Sequence, residues 1–136
     1  MFLTKEDLFT HIYEGAIDAI SDNDVQLLNS AIAAAVSEAT GYLSRFDTNA
    51  LFAAEGGDRD ASLLLFMKDV AKWHFINVAN PGVEYEAAKE RYQLAIKWLE
   101  KIQAGKISPA GWPLPESEQD LPPFIITSRP KRGNYF

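Results

Sequence analysis

The stretch Glu84–Gly105, EYEAAKERYQLAIKWLEKIQAG, limits what this chain can become more than any other. Tyr85, Ala88, Tyr92, Ala95, Leu99 and Ile102 recur at alternating spacings of three and four, which places them on one face of an α-helix. Ile96 widens that stripe, and Ala87, Leu94 and Trp98 form a second apolar flank. Glu86, Lys89, Glu90, Gln93, Lys97, Glu100 and Lys101 occupy the remaining surface. Neither a proline nor a β-branched run interrupts the segment, and Gly105 stands where a left-handed C-terminal cap is needed. A helix of this length spans roughly 30 Å, and its apolar face requires cover from the rest of the chain.

Three further helical segments are predicted. Thr4-Lys5-Glu6-Asp7 offers a hydroxyl cap with a carboxylate three residues on, flanked by Leu3 and Leu8 as a hydrophobic staple. It opens a short helix with Leu8, Phe9, Ile12 and Tyr13 inward and Gly15 at its end. The signal recurs at Ser21-Asp22-Asn23-Asp24, with Ile20 and Val25 as the staple pair. Val25, Leu28, Ile32, Ala35, Ala39, Tyr42 and Phe46 then carry a long helix from Asp22 to about Arg45. Its alanines permit close approach by a neighbour, and Gly41 marks a crossing or an approaching end. Residues 46–59 read as a loop pinned by Leu51 and Phe52. A third helix, from about Asp60 to Val78, is apolar around most of its circumference. Only Lys68, Asp69, Lys72 and Ile76 form an outer strip, so it belongs in the middle. Asn80-Pro81-Gly82 turns the chain into the Glu84–Gly105 helix.

After Gly105, six prolines from Pro109 to Pro130 exclude regular helix, and Phe124-Ile125-Ile126-Thr127 reads as a short strand or extended arm. The expected architecture is all-α. One short and three long helices form a domain over residues 1–105, and residues 106–136 form an extended proline-rich C-terminal arm.

Composition excludes several function classes. With no cysteine among 136 residues, disulfides, thiolate metal sites and cysteine nucleophiles are ruled out. The N-terminus lacks a signal-peptide pattern, and no apolar run nears the ~20 residues needed to cross a bilayer. A net charge of −6 disfavours general nucleic-acid binding, although Arg129, Lys131 and Arg132 make the terminus basic. His11 and His74 sit in no ligand spacing, so each is expected to be packed or on the surface. Asp22 and Asp24 begin like a calcium loop, but Leu27 holds the required glycine position. Gly56-Gly57-Asp58 lacks the lysine and hydroxyl residue of a phosphate loop. No enzymatic activity, metal or cofactor is expected.

Four stretches taken together resemble the Mu-like prophage neck or head-completion family. They are Met1–Leu8, Ala39-Thr40-Gly41-Tyr42-Leu43-Ser44-Arg45-Phe46, Lys68-Asp69-Val70-Ala71-Lys72-Trp73, and Arg91–Ile102 continued through Ala104–Ile107. Gly57-Asp58-Arg59-Asp60 stands where that family often has paired prolines, and the tail lies outside its common pattern. The resemblance implies a small helical protein of a tailed bacteriophage or prophage, similar to adaptors that join portal to tail as rings. On that reading the chain is a head–tail connector subunit located in the virion neck, and in the host cytoplasm during assembly. It would self-associate and bind portal or tail proteins, with no membrane partner. Trp98, Phe124, Ile125, Ile126, Arg129, Lys131, Arg132, Tyr135 and Phe136 are the candidate assembly contacts. The alternative is a DNA-contacting packaging or assembly protein that meets phosphates through the basic tail.

Overall fold

The N-terminal Thr4 and Asp7 cap each other, as the sequence requires. The Thr4 N–H donates to Asp7 Oδ2 at 2.8 Å, and the Asp7 N–H returns to Thr4 Oγ1 at 3.4 Å. Leu3 and Leu8, the staple pair, are both fully buried. The segment that follows is a 3₁₀ turn, Glu6–Thr10, rather than the expected α-helix. Its bonds run from Asp7 N–H to Thr4 O and from Leu8 N–H to Lys5 O, the tighter i to i−3 pattern.

The computed structural model describes residues 1–12, 25–79 and 85–115. Among these described residues four α-helices follow the turn, three of them long: α1 (Val25–Tyr42), α2 (Thr48–Ala53), α3 (Ala61–Ala79) and α4 (Tyr85–Gln103). The described residues contain no strand. The start of α1 predicted at Ser21–Asp24, the Gly15 stop and the Asn80-Pro81-Gly82 turn lie outside the described residues.

The central position expected of α3 is observed: it packs against both α1 and α4, which touch each other less. Leu63, Met67, Val70, Ala71 and Phe75 from α3 meet Leu28, Ile32, Ala35 and Ala39 from α1. Ala88, Ala95, Leu99 and Ile102 complete the core from α4. Asp60 starts α3 by accepting from the Leu63 N–H at 2.8 Å. Gly41 is exposed and a Cβ there would touch nothing, so it marks the approaching end of α1 and no crossing.

Two expectations are corrected. Residues 46–59 are not all loop: Asp47 caps the short helix α2 through the Ala50 N–H, at 3.1 Å. Buried Leu51 and half-buried Phe52 do pin the segment to the body. The outer strip of α3 is also mostly covered. Asp69, Lys72 and Ile76 are buried, with the 3₁₀ turn lying against this part of the bundle.

The end of α4 is closed in two ways. Gly105, at φ +81°, lets its own N–H reach Ile102 O and the Lys106 N–H reach Lys101 O, a Schellman closure. Arg45 then crosses from the end of α1, donating to Ile102 O through Nε (3.2 Å) and Nη2 (2.7 Å) and to Ile107 O (3.2 Å). Packing continues past Gly105. Trp112 is buried edge-on to Phe46 with centroids 5.1 Å apart, and Pro113 O accepts from the Asp47 N–H at 2.9 Å. Residues 106–115 thus lie along the body as a strap.

Candidate functional site

Three side-chain groups outside the plain core have the geometry to act. The first joins the three long helices. Glu38 of α1 meets His74 Nε2 of α3 at 2.8 Å through Oε1, and its Oε2 accepts from the Tyr92 hydroxyl of α4 at 2.7 Å. Trp73 stacks on Tyr92 at 5.4 Å and meets Tyr85 at 5.1 Å. Burial, and then the hydrogen bond to Glu38, raise the Tyr92 hydroxyl pKa far above its ordinary range. Burial also raises Tyr42, with the charges of Glu100 and Glu38 adding to it. These tyrosines are therefore held as neutral hydroxyls, suited to donating hydrogen bonds.

The second group lies where the 3₁₀ turn crosses α3. His11 Nε2 is 3.1 Å from Asp69 Oδ1, and Arg91 Nη1 approaches the same oxygen at 3.8 Å. A cleft of about 310 Å³ beside it is lined by Thr10, His11, Lys72, Ala87 and Arg91. Thr10 Oγ1 is 2.9 Å from His11 Nδ1, giving a hydroxyl, imidazole and carboxylate in the order of a nucleophilic triad. That hydroxyl already donates to Asp7 O at 3.2 Å and accepts from Lys68 Nζ at 3.2 Å. The His11–Asp69 contact also lacks hydrogen-bond alignment. The geometry ties the turn to α3 and leaves Thr10 poorly placed as a nucleophile. Among the described residues, no three His, Cys, Asp or Glu side chains gather into a metal site.

The third group is an aromatic row running across the strap, α4 and α3. Phe46 meets Trp112 edge-on, Trp112 meets Trp98 edge-on at 6.0 Å, and Trp98 stacks on Phe66 at 4.6 Å. Trp98 is half-buried, so one side of its ring is packed and the rest is available to a neighbour. Leu94, one turn earlier on α4, is 60% exposed. The other candidate contacts, Phe124, Ile125, Ile126, Arg129, Lys131, Arg132, Tyr135 and Phe136, lie outside the described residues.

Sequence reading found Trp98 but none of these three groups as groups. His11 and Asp69 are 58 positions apart, and no periodicity reports such a meeting. The only signal was the isolated polar strip on an otherwise apolar α3.

The four resembling stretches all lie within residues 2–122 apart from Met1, and the family model described as "Bacteriophage Mu, Gp36" matches residues 2–122. The chain belongs to that family. As a Gp36-family protein it is a Mu-like bacteriophage protein, and the match spans both the aromatic row and the Glu38 node. No curated protein and no solved structure matches the chain. No helix among the described residues of this Gp36-family chain is long and apolar enough to cross a membrane.

Proposed function

We propose that this Gp36-family chain is a structural subunit of the phage neck, a head–tail connector that works by self-association and by binding portal or tail proteins. The observation that carries the reading is the apolar flank around Trp98. Leu94 is large and exposed one turn before Trp98 on α4, and Trp98 stacks on half-buried Phe66. Solvent-facing apolar residues grouped around an aromatic anchor are the usual core of a protein–protein contact. The Glu38 node and the Arg45 clamp supply what such a subunit needs, a rigid body that keeps its contact face in shape. On this reading Trp98 and the apolar and basic residues of the C-terminal segment contact neighbouring subunits, with no catalysis and no cofactor.

Native mass spectrometry and sedimentation of the full chain test the proposal. The expected result is a closed oligomer that Leu94→Asp returns to monomer without loss of helical circular dichroism. A chain that stays monomeric at high concentration, alone and with portal and tail proteins, would overturn it. Salt-sensitive DNA binding that disappears on removing residues 129–136 would favour the DNA-contacting reading instead.

A further inference from the structure

A second apolar surface lies on another side of the bundle, where the N-terminal segment meets α1 and α2. It is an open groove of about 400 Å³, walled by Met1, Phe2, Ile32, Ala33, Val36 and Phe52. Phe2 and Phe52 stand edge-to-face at 5.2 Å and form one side of it. Val36 is only half-buried and Met1 is 61% exposed. Hydrocarbon left open to water in this way favours an occupant.

We propose that this groove seats the chain's own C-terminal segment, Phe124–Arg132, in the free subunit. Three observations select that occupant. The first is reach. The strap fixes where the chain departs: Pro113 is bonded to Asp47, the cap of α2, and Phe52 lies on that same six-residue helix. A helix of that length is only about 9 Å long. From Pro115 to Phe124 the chain has nine steps, about 28 Å if extended at polyproline pitch, so the leash spans the distance with slack. The second is fit. Phe124, Ile125 and Ile126 are consecutive apolar residues, and Pro122-Pro123 restrict the backbone just before them.

The third is charge. The segment then carries Arg129, Lys131 and Arg132 with no acid, whereas residues 47–60, the stretch that gives Phe52 to the groove, carry Asp47, Glu55, Asp58 and Asp60. The single cation in that stretch, Arg59, is engaged with Phe2 O and Asp7 Oδ2, and Glu55 with the Met1 ammonium, so the stretch and the terminus together still keep an excess of acid. Glu116, Glu118 and Asp120 all precede Pro122 in the sequence and are not part of the segment. A tether this short holds the segment at a high effective concentration near its own groove. The proposal goes beyond the connector reading and does not depend on it. A segment seated at home in the free subunit can still be exchanged between copies once they are held together.

The chain has no cysteine, so a cysteine pair reports proximity without background. Ser37, exposed on the groove wall, and Thr127 supply the pair in the full-length protein, Ser37→Cys with Thr127→Cys. Oxidation with diamide in dilute solution is expected to give mainly an intrachain disulfide. It should form at least tenfold faster than in the control pair Lys101→Cys with Thr127→Cys, whose first site lies on the exposed side of α4. Adding Phe124→Asp and Ile126→Asp should bring the rate down to that of the control. Cross-linking no faster than the control, or cross-links only between chains, would overturn the proposal. Assembly is read separately through Leu94→Asp, so either idea can fail alone.

Discussion

Replacing Arg45 by methionine removes the guanidinium while keeping most of the hydrocarbon stem, and its cost can be worked out bond by bond. Three N–H···O contacts are lost, two to Ile102 O and one to Ile107 O. Ile102 O keeps the Gly105 N–H at 3.0 Å, so its loss is partial, whereas Ile107 O loses the only donor it has among the described bonds. A hydrogen bond involving a charged group contributes about 1.5–3 kcal/mol net, and a cation at a helix C-terminus about 0.3–1 kcal/mol. Arg45 is partly exposed, which discounts both contributions and leaves a total of about 2–3 kcal/mol. Arg45→Lys keeps the charge but not the fork that spans two carbonyls, so it should recover about half of this. Urea unfolding followed by circular dichroism is the assay. With a slope of about 1–3 kcal/mol/M, the Arg45→Met midpoint should fall by about 0.7–3 M at unchanged slope. An unfolding free energy within about 0.5 kcal/mol of the parent would refute the clamp. So would Arg45→Lys behaving like Arg45→Met.

Burial works to raise the Asp7 carboxyl, but hydrogen bonds from Arg59 and from the Thr4 N–H and hydroxyl outweigh it and hold the pKa below its ordinary value. The stability Asp7 contributes is therefore complete above the normal carboxylate range and lost as pH falls through its lowered pKa; Asp7→Asn should flatten that acid limb, measured as stability against pH from 7 down to 2. Tyr92→Phe should cost about 1–2 kcal/mol by removing the donor to Glu38, and combining it with Glu38→Gln should cost less than the sum of the two. Gly105→Ala should cost about 1 kcal/mol in thermal or urea unfolding, from backbone strain alone, because a Cβ at φ +81° meets nothing within 4 Å.

The long helices were legible because each declares itself locally. The three-four rhythm of Ala88, Ala95, Leu99 and Ile102, the Asp60 cap and the Gly105 stop are all written within a few residues of where they act. The helix α2 was not, since six residues make under two turns and show no period; Asp47 alone announced it. Lys68, Asp69, Lys72 and Ile76 misled for a different reason. A polar strip reads as a wet face until a partner from far along the chain covers it, and here His11 and Thr10 arrive from the N-terminal turn. The same limit hid the meeting of Glu38, His74 and Tyr92 and that of Arg45 with Ile102, which are matters of helix arrangement. Trp98 was visible as a second flank, but its placement between Phe66 and Trp112 depended on where the strap runs.

The contact between Trp98 and Trp112 also has an optical consequence. Two indoles with centroids 6.0 Å apart and planes inclined at 72° are close enough and skewed enough for their transitions to mix, producing a paired signal of opposite signs in circular dichroism. One ring rides on α4 and the other on the strap, so the signal exists only while the strap is seated. Helix content is read in the far ultraviolet backbone bands, whereas this couplet registers a single tertiary contact near the point where the C-terminal segment departs. The protein thus carries a built-in spectroscopic marker of strap docking that needs no label.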